Sequence, residues 1–160
     1  MADKKVAFVT GASSGIGFAT ASLLAARGYH TFGTTRELGA RKAPEGVEML
    51  KLDVRSDESV DRAVEDVIAR TKRIDVLVNN AGFGLAGAIE ETSLEEARGQ
   101  LETNFWGPVR ITRRIPPYMR ERRAGRIIDI SSVLGSCPRR TKVSMSPRSM
   151  RWKDTPRFWT

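Results

Sequence analysis

Three glycines directly follow a short apolar run near the start of the sequence. The run is Val6–Val9, and Gly11, Gly15 and Gly17 come next within the segment Thr10–Gly17. A glycine-rich turn between a strand and a helix points backbone N–H groups and the positive end of the helix at one place, where they can bind phosphate. A turn that only connects two elements is the alternative, because the spacing differs from the commoner dinucleotide fingerprint.

Further polar residues follow later apolar runs. They are Asp53 with Val54, the segment Asn79-Asn80-Ala81-Gly82, Asn104, and Ser131 with Ser132. Each has an ordinary alternative, since aspartate, asparagine and serine are common turn formers. Turn formation alone does not explain why all of these residues occur in this order. The order is typical of a single nucleotide-dependent site.

Alternating periodicities predict the elements that hold these residues. Strands are predicted over residues 5–9, 29–35, 47–52, 74–78 and 126–131. Helices are predicted over 15–27, from Ser56, from a capping box at Ser93, and from about Asn104 to Arg123. Pro116-Pro117 predicts a kink or a restart in the last helix.

Strands that alternate with helices imply right-handed crossovers, so we expect a doubly wound, Rossmann-like α/β fold with a parallel sheet in the order 3-2-1-4-5. Its later strands are expected to be missing, and a ligand would bind at the carboxyl ends of the strands.

Taken together, these motifs resemble the short-chain dehydrogenase/reductase family in its Thr-Gly-x-x-x-Gly-x-Gly form. The resemblance covers residues 4 to about 135. It implies that Gly11, Ser13, Ser14, Gly15, Ile16 and Gly17 hold the phosphates of a nicotinamide cofactor. It also implies that Asp53 accepts from the adenine amino group beside the Val54 backbone, and that Asn80, Ala81 and Gly82 line the nicotinamide-side ribose. Asn79 is expected to tie neighbouring strands.

The residue after the second strand predicts which cofactor is used. An acid at this position binds the ribose 2′-hydroxyl of NAD, whereas an arginine accepts the 2′-phosphate of NADP. Arg36 stands there and offers a planar fork suited to phosphate. We therefore expect NADP, with NAD as the alternative because Glu37 is adjacent and Arg36 could be a plain surface charge.

The catalytic half of the resemblance is incomplete. The family transfers hydride between nicotinamide and a small carbonyl or alcohol substrate, using a tyrosine, a lysine, a serine and an asparagine. Ser132 matches the serine, and Asn104 matches the asparagine of a water-linked proton relay. Met145 and Ser149 stand where the tyrosine and lysine are expected. Without that pair, general acid/base catalysis lacks its proton carrier.

A change of reading frame would explain the missing pair. One back-translation of residues 143–156, read from its third base, gives Leu-Tyr-Val-Ala-Ser-Lys-His-Ala-Val-Glu-Gly-Tyr-Ser. We hypothesise that residues from about 136 onward are out of frame, after loss of one base near the Gly135 codon. A natural basic tail is the alternative, and the source DNA across that codon decides between them.

Charge and composition separate the tail from the rest of the chain. Residues 136–160 hold seven basic side chains and one acidic one, whereas residues 1–135 hold 20 and 18. We therefore predict a nucleotide-binding domain at 1–135 and a disordered basic tail at 136–160. The single Cys137 fits a reducing cytoplasm, the lone His30 cannot build a metal cluster, and no apolar run is long enough for a membrane span.

Three functions follow from these observations. The leading one is an impaired NADP-dependent oxidoreductase. The second is a non-catalytic nucleotide-binding protein. The third, which the near-neutral charge of residues 1–135 disfavours, is nucleic-acid contact through the tail. The resemblance implies a homo-oligomer in which the helix that should carry the tyrosine and lysine packs against a partner subunit, so a normal dimer is doubtful for this chain.

Overall fold

Five short segments of the chain pair into one parallel sheet. The structure is a computed structural model that describes residues 4–131, except for the side chain of Ile89. The strands are β1 Val6–Val9, β2 His30–Thr35, β3 Val47–Lys51, β4 Val76–Asn79 and β5 Arg126–Asp129. Their order is β3-β2-β1-β4-β5, which confirms the predicted Rossmann-like α/β fold. Ser132 and residues 136–160 lie outside the described residues.

The register brings the carboxyl ends of the central strands to one edge of the sheet. Val9, the last residue of β1, is opposite Gly33 of β2 and Val78 of β4. The helices α1 Gly15–Ala26 and α2 Asp57–Thr71 make the crossovers between parallel strands. The turns that follow β1, β3 and β4 therefore meet at this edge, where doubly wound folds bind their ligands.

The core lies between the sheet and its helices. All four residues of β1 are buried, as parallel strands covered on both faces require. Phe8, Phe32, Leu77 and Ile111 are fully buried in the larger apolar cluster. Four buried residues of α2 belong to the same cluster, Val60, Ala63, Val64 and Val67. Burying a side chain of this size stabilises the fold by about 1.5–3 kcal/mol.

Two helices begin where the sequence predicts. The Ser56 side chain caps α2 by accepting from the backbone N–H of Ser59 at 3.2 Å. Ser93 and Glu96 form the predicted capping box of α3, Leu94–Leu101. Each bond satisfies an N–H group that the first turn of a helix leaves without an intrahelical acceptor.

The prediction of one helix from about Asn104 to Arg123 was wrong in its boundaries. The helix continues from α3 through a π-helical turn, Glu102–Trp106, into α4, Gly107–Arg114. It stops at Ile115 and restarts as α5, Pro116–Glu121, with proline at its first positions. A proline there loses no intrahelical hydrogen bond, so the predicted restart is confirmed.

Candidate nucleotide-binding site

A cleft of about 1360 Å³ opens at the carboxyl ends of the strands. It brings together nearly all of the residues that the sequence assigned to the site and the structure describes. The predicted residues that line it are Gly11, Ser13, Ser14, Gly15, Ile16, Arg36, Asp53, Val54, Asn80, Ala81, Gly82 and Asn104. Gly17 is the exception, because it is buried beneath the turn. Ser132 lies outside the described residues.

The glycine-rich turn needs glycine at two positions for backbone conformation and at a third for packing. Gly11 and Gly15 have φ of 65° and 56°, a region that side-chain-bearing residues rarely adopt. A Cβ atom at Gly15 would meet no protein atom within 4 Å, so the space beside it is open to a ligand. A Cβ atom at Gly17 would collide with the Gly11 carbonyl and the Asn80 amide, so Gly17 allows the helix to lie close beneath the turn.

The first turn of α1 is left open toward the cleft. Ser14 is its N-cap residue in extended conformation, and its side chain makes no capping hydrogen bond. No acidic residue stands in the first turn of α1, whereas α2 and α3 each have a serine cap and two acidic residues there. Free N–H groups and the positive helix end favour an anion at this position.

The Thr10 hydroxyl joins the glycine-rich turn to the segment after β4. It accepts from the backbone N–H groups of Asn80 and Ala81, both at 2.9 Å. The Asn80 side-chain amide returns two bonds, to the carbonyls of Thr10 and Gly11 at 3.0 Å each. The Asn80 amide group therefore shapes the turn itself, and only the remaining surface of Asn80 faces the cleft.

Asn104 fixes the backbone of Phe83, which also lines the cleft. Its Oδ1 accepts from the N–H of Phe83 at 3.0 Å, and its Nδ2 donates to the carbonyl of Phe83 at 2.7 Å. Both amide atoms are thus committed to one backbone unit. A Cβ at Gly82 would lie 2.9 Å from Asn104 Oδ1, which explains a glycine at that position.

Asp53 lies on the cleft wall in a bidentate ion pair with Arg55. Arg55 Nη2 donates to Asp53 Oδ2 at 2.8 Å, and Nε is 3.1 and 3.2 Å from the two carboxylate oxygens. The backbone N–H of Arg55 also donates to Oδ1 at 3.0 Å. Hydrogen bonds from the Arg55 side chain hold the pKa of Asp53 below its ordinary value, so the group is ionised at neutral pH.

Two other arginines of the cleft are uncommitted. Arg36 follows the last residue of β2, as predicted, and Arg41 comes back to the same cleft from the β2–β3 loop. Within residues 4–131, neither guanidinium has an ion-pair or hydrogen-bond partner. Glu37 also lines the cleft, which keeps an acid near Arg36.

Asn79 has the structural position that the sequence predicted. It is fully buried, and its amide donates to Asp129 Oδ1 at 2.8 Å and to Thr112 Oγ1 at 3.1 Å. These bonds tie β4 to β5 and to α4.

Sequence reasoning missed several residues that line the cleft, and four of them have polar or backbone roles in the site. They are Arg41, Arg55, Phe83 and Gln100, whose Nε2 donates to the Phe83 carbonyl at 3.3 Å. The Asp53-x-Arg55 spacing is a local signal that could have shown the ion pair. The positions of Arg41 and Gln100 depend on tertiary packing, which no short motif carries.

A family model described as short chain dehydrogenase matches residues 5–145. The chain belongs to this family. The short-chain dehydrogenases have the Rossmann-like sheet found here, and the relatives with named activities include dehydrogenases and reductases.

Individual relatives support the same assignment. A 3-ketodihydrosphingosine reductase of Bacteroides thetaiotaomicron is 44% identical over 131 residues, which are 82% of this chain and 48% of that protein. A short-chain dehydrogenase structure from Streptomyces avermitilis is 43% identical with a TM-score of 0.80, covering 86% of this chain and 53% of the other. The structure of actinorhodin polyketide ketoreductase with NADPH is 35% identical with a TM-score of 0.79, covering 86% and 56%. This chain spans about half the length of these relatives.

Two further searches bear on other functions. Among residues 4–131, no group of three or more His, Cys, Asp or Glu side chains is arranged to hold a metal ion. No helix in the same part of the chain is both long and apolar enough to cross a bilayer.

Proposed function

We propose that this chain is the cofactor-binding part of an NADP-dependent short-chain oxidoreductase. The observation that carries the proposal is the uncapped first turn of α1, which opens into the cleft beside Gly15. A dinucleotide pyrophosphate is the anion that this position suits in a Rossmann-like fold. Ser13, Ser14 and Ile16 line the cleft next to it and would complete the phosphate contacts.

The rest of the cleft can hold the other parts of the cofactor. Asp53 and Val54 would bind adenine, and Asn80, Ala81 and Gly82 would lie along the nicotinamide-side ribose. The bound nicotinamide supplies hydride exchange with a small carbonyl or alcohol substrate. Asn104 would act by holding the Phe83 backbone at the nicotinamide end of the cleft, and Ser132 would bind the substrate oxygen.

Two features favour NADP over NAD. Arg36 and Arg41 line the cleft without a hydrogen-bond or ion-pair partner in the described part of the chain, and a planar guanidinium suits a ribose 2′-phosphate. The related ketoreductase structure contains NADPH. NAD remains the alternative, because Glu37 lines the same cleft.

This chain is proposed to bind the cofactor without completing the reaction. Met145 and Ser149 stand where the family's tyrosine and lysine are expected, and neither can carry the proton. A protein that binds nucleotide and has no catalytic role is the second candidate, and the same two positions favour it.

The proposed division places the binding domain at 1–135 and a separate tail at 136–160. A cytoplasmic location would fit the single cysteine.

Cofactor titration and a turnover assay test this proposal together. We expect the chain to bind NADPH more tightly than NADH and to show no NADPH-dependent reduction of a panel of ketones and aldehydes. Failure to bind either cofactor would overturn the assignment. Turnover by the chain as printed would overturn its impairment. Sequencing the source DNA across the Gly135 codon separates the impaired oxidoreductase from the non-catalytic nucleotide-binding protein. Only in the first case does a shift of one base restore the tyrosine and the lysine.

A further inference from the structure

The Asp53–Arg55 pair lies where the adenine end of a dinucleotide is proposed to bind. Both residues line the cleft, and the Asp53 side chain is 32% exposed. All four contacts from Arg55 to the carboxylate come from a residue only two positions along the chain. The backbone of Asp53 is also held, because its N–H donates to Ser59 Oγ at 3.0 Å. The carboxylate therefore has a fixed orientation.

That orientation leaves part of the carboxylate available. Two carboxylate oxygens offer about four acceptor positions. Three N–H groups of Arg55 fill part of them, namely Nη2, the backbone N–H, and Nε shared between the two oxygens. Because the Asp53 side chain is 32% exposed and lines the cleft, the acceptor position that Arg55 leaves unfilled can be reached from the cleft. An ionised carboxylate can only accept hydrogen bonds, so its open acceptor position suits an amino group and repels a carbonyl oxygen.

We propose that Arg55 is a positioning residue that selects an adenine base by holding Asp53 as a fixed hydrogen-bond acceptor. The proposal rests on the proposed function, because it requires a dinucleotide in the cleft. The exocyclic amino group of adenine donates to the open acceptor position of Asp53. Hypoxanthine carries a carbonyl oxygen in place of that amino group, so the same position disfavours it.

Binding of NADPH and of its hypoxanthine analogue to the full chain tests the proposal. The measured quantity is the ratio of the two dissociation constants. It is compared between the unaltered chain, Arg55→Gln, Arg55→Lys, Asp53→Asn and the double variant Asp53→Asn/Arg55→Gln. Arg62→Gln is the matched control. Arg62 also forms an ion pair with a nearby acid, Glu58, four residues earlier, but its side chain is 74% exposed on α2 and does not line the cleft. Circular dichroism confirms that each variant is folded.

We expect the unaltered chain to prefer adenine by about tenfold or more, as the loss of a charge-assisted hydrogen bond predicts. Arg55→Gln should reduce that preference by at least threefold, Arg55→Lys should keep part of it, and Arg62→Gln should leave it unchanged. In the Asp53→Asn background, Arg55→Gln should have no further effect on the ratio.

Three results would overturn the proposal, and they have different meanings. If the unaltered chain binds neither cofactor, the proposed function fails and the inference fails with it. If it binds NADPH and Arg55→Gln keeps the full adenine preference, only the positioning role fails. If Arg55→Gln still lowers the ratio when Asp53 is asparagine, Arg55 acts on the nucleotide directly rather than through Asp53.

Discussion

At the scale of single residues, the arginines of the cleft are in two different states. Arg55 is committed to Asp53, while Arg36 and Arg41 have no hydrogen-bond or ion-pair partner in the described part of the chain. A guanidinium that is paired in the free protein affects ligand binding through the side chain that it holds. One that is unpaired can give its donors to a ligand without first breaking a protein contact.

Arg36→Ala tests the unpaired state. We expect the affinity for NADPH to fall by about tenfold or more, since a hydrogen bond to a charged group contributes about 1.5–3 kcal/mol. The affinity for NADH, which lacks the 2′-phosphate, should change by less than about threefold. Titrations of both cofactors provide the comparison, with Arg62→Ala as the control for lost charge. An equal loss for the two cofactors would contradict a 2′-phosphate contact.

Asp75 is the buried acid whose removal should most affect stability. Its carboxylate accepts from Arg73 Nε and Nη2 at 2.7 and 2.6 Å and from the backbone N–H of Val6 at 2.7 Å. Asp75→Asn removes the negative charge from a buried ion pair, so we expect the free energy of unfolding to fall by about 3 kcal/mol. Urea unfolding measures this loss. A loss below about 1 kcal/mol would show that the pair is not structural.

The same residue predicts a pH dependence. Burial raises the pKa of Asp75, but the hydrogen bonds from Arg73 and Val6 and the charges of Arg73 and Arg122 outweigh it and lower the pKa. Its stabilising effect is therefore complete above the unfolded pKa of about 3.9. That effect is lost as the pH falls through the lower folded value. The free energy of unfolding should be measured between roughly pH 6 and pH 2. It should fall more steeply with decreasing pH in the unaltered chain than in Asp75→Asn.

At the scale of elements, two helical glycines have opposite surroundings. Gly17 lies in α1, where an added Cβ would overlap the Gly11 carbonyl. Gly99 lies in α3, where an added Cβ would meet nothing within 4 Å. The first glycine is required by packing, whereas the second only costs helix stability.

Alanine at each position measures this difference. Gly17→Ala should destabilise the chain by about 1–3 kcal/mol through overpacking and should weaken NADPH binding. Gly99→Ala should stabilise it by about 0.5–1 kcal/mol and leave binding unchanged. Thermal unfolding and titration of both variants supply the data. If Gly17→Ala is as stable as the unaltered chain, the close approach of α1 to the turn is wrong.

Sequence patterns predicted elements whose signals are local and missed those set by tertiary contacts. The glycine turn, the Ser56 and Ser93 caps and the strand order all follow from short motifs and crossover rules. The π-helical turn at Glu102–Trp106 does not, because it places Asn104 against the backbone of Phe83, 21 residues earlier. The ion pair of Asp53 with Arg55 is a local contact that the sequence could have shown, because the two residues are only two positions apart. The motif predicted a ligand for Asp53 and no protein partner.

At the scale of the whole molecule, β5 forms an outer strand of the sheet within residues 4–131. Its four residues are all exposed, with Ile127 and Ile128 at 37% and 39%. An outer strand that exposes apolar side chains beside its unpaired backbone groups is a template for pairing with another chain. We therefore expect this chain to self-associate through β5 as its concentration rises.

Lysine substitutions on β5 test this expectation. Ile127→Lys and Ile128→Lys should reduce self-association in light scattering, because charge on an edge strand opposes pairing. Both variants should keep NADPH binding, since neither residue lines the cleft. Leu94→Lys is the matched control, because Leu94 is 73% exposed but lies on α3. An equal reduction by Leu94→Lys would mean that general charge, rather than the edge, controls association.

Amide hydrogen exchange with and without NADPH locates the backbone groups that bind the cofactor phosphates, and so tests whether the cleft is a dinucleotide site. We predict that NADPH slows exchange at residues 14–17, in the uncapped first turn of α1, and at Ala81 and Gly82. The capped start of α2 at Asp57 should be unchanged. Binding of NADPH with no protection at residues 14–17 would contradict the assignment of this cleft as a dinucleotide site.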